Sequence, residues 1–139
     1  MSSPPAWIVL AEDNRPDVFL IQEALAQEGL PYRMDTIEDG DEVLNFIARL
    51  EADGGAPRPD LLVLDLNMPK RSGTEILSRL RSSSRCGHIP VMVISSSDAP
   101  HDRELAKRLG ASLYFPKPLT FAEFMKIGGH IRSLLDRTA

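Results

Sequence analysis

Short aliphatic runs that return after each helical stretch constrain this chain more than any other feature. WIVLA (7–11), DLLVLD (60–65) and PVMVIS (90–95) are apolar on both faces, as a central parallel strand covered by helices on both sides requires. PYRMDTI (31–37) and SLYF (112–115) add two further strand candidates. Between these runs apolar residues recur at helical spacing: Val18, Ile21 and Leu25; Val43, Ile47 and Leu50; Ile76 and Leu80; Leu105 and Leu109. Gly29 and Gly110 each follow a periodic run and mark helix stops. Thr120 and Glu123 have the spacing of a capping box and Leu119 is placed to staple onto Phe124, so a last helix is expected from there to about Leu135. The pattern is βα repeated five times, an α/β chain built on a doubly wound parallel sheet.

The 139 residues fit a single domain, 1–139, and no output domain is expected. A composition of 42% hydrophobic and 26% charged residues is that of a globular chain. The net charge of −4 argues against nonspecific nucleic-acid binding, which needs a basic surface. No apolar stretch reaches the roughly 18 residues of a membrane span. MSSPPAW lacks the plan of a signal peptide, and a cytoplasmic location is expected. Cys86 has no cysteine partner and reads as a bystander. EADGGAPRP (51–59) reads as an insertion at the edge of the sheet.

In an open parallel sheet ligands bind beyond the carboxyl ends of the strands, close to where the strand order reverses. The first strand ends in Glu12-Asp13-Asn14, the third in Asp65-Leu66-Asn67 and the fourth in Ser95-Ser96-Ser97-Asp98, while the fifth leads to Pro116-Lys117-Pro118. Crowded carboxylates repel one another, and a hard divalent cation relieves them; Mg²⁺ suits the set best because it keeps waters and leaves room for phosphate oxygens. A lysine and a hydroxyl beside the cation suit an incoming phosphoryl group, whose transfer rests on positioning and charge neutralisation. The nucleophile would be a carboxylate, and Asp65, at the end of a buried strand, is the natural one.

With these residues in view, the chain resembles the receiver domain of two-component response regulators from about Trp7 to Leu135. Glu12-Asp13, Asp65 within LDLNMP, Ser95 closing PVMVIS and Lys117 before Pro118 carry the resemblance, in the right order and at the right strand ends. It implies a flavodoxin-like (βα)5 fold: a five-stranded parallel sheet in the order 2-1-3-4-5, doubly wound by five helices. It further implies that Asp65 accepts a phosphoryl group from a histidine kinase, with Asp13, Asp65 and the carbonyl of Asn67 on Mg²⁺ and Glu12 acting through a metal-bound water. Ser95 would bond a phosphoryl oxygen, Lys117 would bridge the phosphate and the acidic cluster, and Tyr114 would rotate with the switch. A cis bond between Lys117 and Pro118 is implied as well. Glu12 stands where many relatives carry aspartate, and Ser95 where threonine is commoner; Ser96 is a rival for its register.

The resemblance makes the chain a signalling switch and not a turnover enzyme, its chemistry limited to self-phosphotransfer and autodephosphorylation. A pseudo-receiver that takes no phosphate is one alternative. A phosphatase or phosphotransferase working through aspartyl phosphate is another, disfavoured because Asn67 stands where such enzymes usually place a second acid. Output would pass to a downstream protein. The EADGGAPRP loop, the AEDN opening and VISSSDAPHD look most like the phytochrome-associated group, with a bacteriophytochrome as the kinase. A homodimer through strand 5 and the last helix is also expected, with Phe121, Phe124, Ile127 and the Gly128-Gly129 pair on its face.

Overall fold

The computed structural model describes residues 4–137. Its strands are β1 (Ala6–Ala11), β2 (Tyr32–Ile37), β3 (Leu61–Asp65), β4 (Val91–Ser95) and β5 (Leu113–Pro116). They form one five-stranded sheet in the order β2-β1-β3-β4-β5, and every pairing is parallel. Helices α1 (Arg15–Glu28), α2 (Gly40–Ala52), α3 (Gly73–Arg81) and α4 (Pro100–Arg108) connect successive strands, and α5 (Phe121–Met125) and α6 (Ile127–Arg137) follow β5.

Alternation along the strands divides the core into two layers. Val9, Leu62, Leu64, Val91 and Val93 face α2 and α3, against Val43, Ile47, Ile76, Leu77 and Leu80. Ile8, Leu10, Leu61, Val63, Met92 and Ile94 face the other way, against Ile21 and Leu25 of α1 and Ile127 and Ile131 of α6. Both faces of β1, β3 and β4 are thus consumed by packing, which is why their sequences hold no alternating polar residues. Polar groups remain available only at the strand ends. β1 lies between β2 and β3, so the connections diverge to opposite sides at the carboxyl ends of β1 and β3.

Helix boundaries follow local chemistry. Asn14 Oδ1 accepts from the Asp17 N–H at the start of α1, and Gly29, at φ 65°, closes it in the left-handed conformation. Asp39, Ser72 and Thr120 cap α2, α3 and α5 in the same way. No helix among the described residues is long and apolar enough to cross a membrane.

Several expectations need correction. The capping box at Thr120 is half formed: the Glu123 N–H bonds Thr120 Oγ1, but the Glu123 carboxylate pairs with Lys126. Leu119 is 104% exposed, so it staples nothing, while Phe124 turns into the core edge-on to Phe115. The last helix is interrupted for one residue at Lys126, whose φ of −63° and ψ of −18° stay right-handed. Phe124 and Ile127 are buried within the chain and offer no face to a second copy; only Phe121 of that set is an exposed apolar residue. Gly128 answers to a backbone of its own chain, since a Cβ there would lie 2.6 Å from the Ala24 carbonyl of α1. The Gly/Pro segment is no edge insertion: its first residues finish α2, and the rest leads into the central strand β3, tied by the Asp60 N–H to the Trp7 carbonyl. On α4 the buried residue is Ala106, with Leu105 and Leu109 only partly covered. No peptide bond among the described residues is cis, so Lys117–Pro118 is trans, the lower-energy isomer even before proline.

Candidate functional site

The ends of β1, β3 and β4 and the segment after β5 meet on one side of the sheet. Asp65 is the last residue of β3 and is buried; its Oδ1 accepts the Asn67 N–H at 2.9 Å, which pins the carboxylate on the strand end. Glu12, one residue past β1, is buried beside it, and Asp13 is exposed. One carboxylate oxygen from each of Glu12, Asp13 and Asp65 can be chosen so that all lie within 4.8 Å of one another. That spacing suits oxygens arranged about a single hard cation with metal–oxygen distances of about 2.0–2.6 Å.

Lys117 enters from the β5 side. Its backbone N–H bonds the Ser95 carbonyl at 2.7 Å, and its ammonium lies 2.8 Å from Asp17 Oδ2, 3.1 Å from Asp65 Oδ2 and 3.2 Å from Glu12 Oε2. Burial opposes its charge, but the Asp17 hydrogen bond and the charges of Asp65 and Glu12 outweigh that, and its pKa is raised above the ordinary lysine value. Glu12 is displaced the other way for an acid. Burial first, then hydrogen bonding to Asp65 and repulsion from its charge, push its pKa up to about 8, against the pull of Lys117 and the Asn14 N–H. Among the described residues no hydrogen-bond donor is aligned on Glu12 Oε2, although that oxygen is buried. A buried carboxylate oxygen left in that state is what a cation, or a water on one, would satisfy. The donor set therefore fits a divalent cation.

The loop from β3 to α3 is shaped by backbone constraints. Pro69 O accepts from both Gly40 and Arg71 N–H groups, and Lys70 between them sits at φ 72°, which makes a γ-turn. Gly73 N–H bonds the Leu66 carbonyl at 2.9 Å, and a Cβ on Gly73 would come within 2.5 Å of Leu66 Cα, so glycine is required for close approach. Lys70 pairs with Asp39 at 3.3 Å and Arg71 with Asp41 at 2.9 Å, holding the loop to the start of α2.

Ser95 ends β4 and is buried, whereas its register rival Ser96 is exposed. Ser95 Oγ accepts the Ser97 N–H at 3.0 Å; the Ser97 carbonyl accepts from the half-buried Tyr114 hydroxyl at 2.6 Å, and Ser97 Oγ donates to Asp102 at 2.6 Å. Ser97 thus connects Ser95, Tyr114 and the first turn of α4, which has no side-chain cap from Ala99. Arg103 bonds Asp98 and lies over the Tyr114 ring at 5.1 Å.

The structure brings Glu12, Asp13, Asp65 and Lys117 together, sets Ser95 at the neighbouring strand end, and leaves Asn67 exposed with its N–H on Asp65. Asp17 was not among the residues singled out from the sequence. Its only signal there is its place in the first turn of a helix, where an acid has an ordinary reason to be.

A family model described as the response regulator receiver domain matches residues 8–127. Response regulator Rcp1 of Synechocystis sp. is 30% identical over 132 residues, covering 95% of this chain and 90% of its own. Among solved structures, the phosphorylated cyanobacterial phytochrome response regulator RcpA superposes with a TM-score of 0.84 at 36% identity, over 97% of this chain and 96% of that one. The Mn²⁺-bound form of Rcp1 gives a TM-score of 0.82 at 29% identity, over 93% of each chain. With the same sheet order and an acidic cluster that fits a divalent cation at its carboxyl edge, the chain belongs to the response regulator receiver domains, the phosphorylation-activated switches of two-component systems, and its relatives include phytochrome-associated members.

Proposed function

We propose that Asp65 is the phosphoryl acceptor of this receiver and that Mg²⁺ held by Glu12, Asp13 and Asp65, with Asn67 at the mouth of the site, supports the transfer. The observation that carries this reading is a buried carboxylate at a strand end with a lysine ammonium 3.1 Å away, beside a buried Glu12 oxygen that pairs with that ammonium but has no aligned hydrogen-bond donor among the described residues. When bound, the cation supplies charge neutralisation for the phosphoryl oxygens. The chain's own residues do the rest. The end of β3 fixes Asp65, whose side chain is buried, for in-line attack. A carboxylate oxygen of Asp65 bonds to phosphorus as the bond from phosphorus to the leaving group breaks, and Lys117 takes up part of the charge that moves onto the phosphoryl oxygens.

The donor is a histidine kinase; the phytochrome-associated relatives favour a photoreceptor kinase. Ser95 and Tyr114 form the switch. A Ser95 hydroxyl drawn toward the phosphoryl group releases the Ser97 N–H, and with it the segment that holds the Tyr114 hydroxyl and the start of α4. The altered surface is read by a downstream protein, the chain acting as a single receiver over 1–139. Self-phosphorylation and slow autodephosphorylation are the only chemistry expected of it.

Intact-protein mass after incubation with acetyl phosphate and Mg²⁺ tests the reading. The wild type should gain one phosphoryl group and Asp65→Asn none; a wild type that stays unlabelled while folded would instead make the chain a pseudo-receiver.

A further inference from the structure

We propose that Asp17 is a positioning residue for phosphoryl transfer to Asp65, holding the Lys117 ammonium in place while the charge of Asp65 is consumed. The inference rests on the assignment of Asp65 as the acceptor. A lysine side chain is long and costly to immobilise, so an ammonium that must meet a reacting group needs a fixed partner. Lys117 has three carboxylates within 3.2 Å, and they are not equivalent. Asp65 loses its charge when its oxygen bonds to phosphorus. Glu12 belongs to the group of oxygens that fits a cation, which would draw on its charge. Asp17 lies outside that group, approaches the ammonium closest at 2.8 Å, and is the partner whose charge neither event removes.

Asp17 is itself well held. It sits in the first turn of α1 behind Pro16, its N–H bonded to Asn14 Oδ1 at 3.1 Å, and its side chain is 18% exposed. During transfer the phosphorus–oxygen bond to acetate breaks as the bond to Asp65 forms, acetate leaves with the electron pair, and no proton changes hands. The N–H of Lys117 that faced Asp65 Oδ2 then turns to a phosphoryl oxygen, while Asp17 keeps the ammonium from following. An acid placed only to suit a helix start would have no part in this.

The test is the initial rate of labelling by acetyl phosphate across a Mg²⁺ titration, for wild type, Asp17→Asn and Asp17→Glu. The rate at saturating Mg²⁺ should fall about tenfold in Asp17→Asn, the size expected for one hydrogen bond to a charged group. The Mg²⁺ concentration for half-maximal rate should stay within about twofold, because Asp17 is not a cation ligand, and Asp17→Glu should recover most of the rate. In the metal-free proteins the Lys117 ammonium protons, followed by ¹⁵N NMR, should exchange faster in Asp17→Asn, a change that loss of a helix-start charge alone would not produce. An unchanged or raised rate overturns the proposal, as does a loss explained wholly by weaker Mg²⁺ binding. Should Asp17→Asn not fold, Asp17→Ser carries the same comparison. A wild type that takes no label overturns the acceptor assignment and this proposal together, an outcome plainly different from wild type and variants labelling alike.

Discussion

Glu12 is buried, and among the described residues its ionic neighbour of opposite sign, Lys117, is shared with Asp17 and Asp65. Its pKa of about 8 lies above the ordinary 4.5, so the folded chain binds a proton that the unfolded chain has released between those values. Stability from this group is therefore present below pH 4.5 and lost as pH rises toward 8, on the order of a few kcal/mol. Denaturant titrations of the metal-free protein should show that decline, Glu12→Gln should flatten it, and millimolar Mg²⁺ should flatten it in the wild type. A pH-independent stability in metal-free wild type would contradict the assigned environment. At this scale Glu12, Asp13, Asp65, Ser95 and Lys117 were legible because each is a polar residue at the end of an apolar run. The Ser97 contacts were not, since a serine in a loop gives no sign that its N–H, carbonyl and hydroxyl are all engaged.

Among the elements, α6 shows how one position can be required to be glycine while its neighbour is not. A Cβ at Gly128 would meet the Ala24 carbonyl at 2.6 Å, and backbone cannot move aside as a side-chain end can; at Gly129 nothing lies within 4 Å. Gly128→Ala should destabilise the fold by about 1–3 kcal/mol, as overpacked sites do. Gly129→Ala should stabilise it by up to about 1 kcal/mol through helix propensity. Equilibrium unfolding of the pair measures both, and equal effects would contradict the packing of α6 on α1. The glycine pair suggests a face for a second copy, whereas the backbone that approaches Gly128 is α1 of the same chain. Periodicity located α1 to α3 well because most of the residues that carry it, Ile21 and Leu25, Val43, Ile47 and Leu50, Ile76 and Leu80, are buried. It misjudged α4, where Ala106 carries the contact and the leucines lie at the margin. Leu119 failed as a staple because capping geometry does not determine which way a residue before the cap points.

At the scale of the whole molecule, strands apolar on both faces identify β1, β3 and β4 as interior, while the order 2-1-3-4-5 is legible only through the resemblance to receiver domains. What topology adds is convergence: β1, β3, β4 and the segment after β5 are scattered in sequence, yet Lys117 reaches carboxylates 52, 100 and 105 positions earlier in the chain. The ion pairs on Lys117 therefore tie the start of α1, the end of β3 and the end of β5 into one unit, and a change of charge at Asp65 acts on all of them. The central claim is that this change happens on Asp65. Borohydride reduction of the protein after acetyl phosphate and Mg²⁺ treatment, followed by peptide mapping, tests it most directly, because an aspartyl phosphate is reduced to homoserine and an untouched carboxylate is not. Homoserine at position 65 alone is the predicted result; reduction at Asp13, or at no residue, would contradict it.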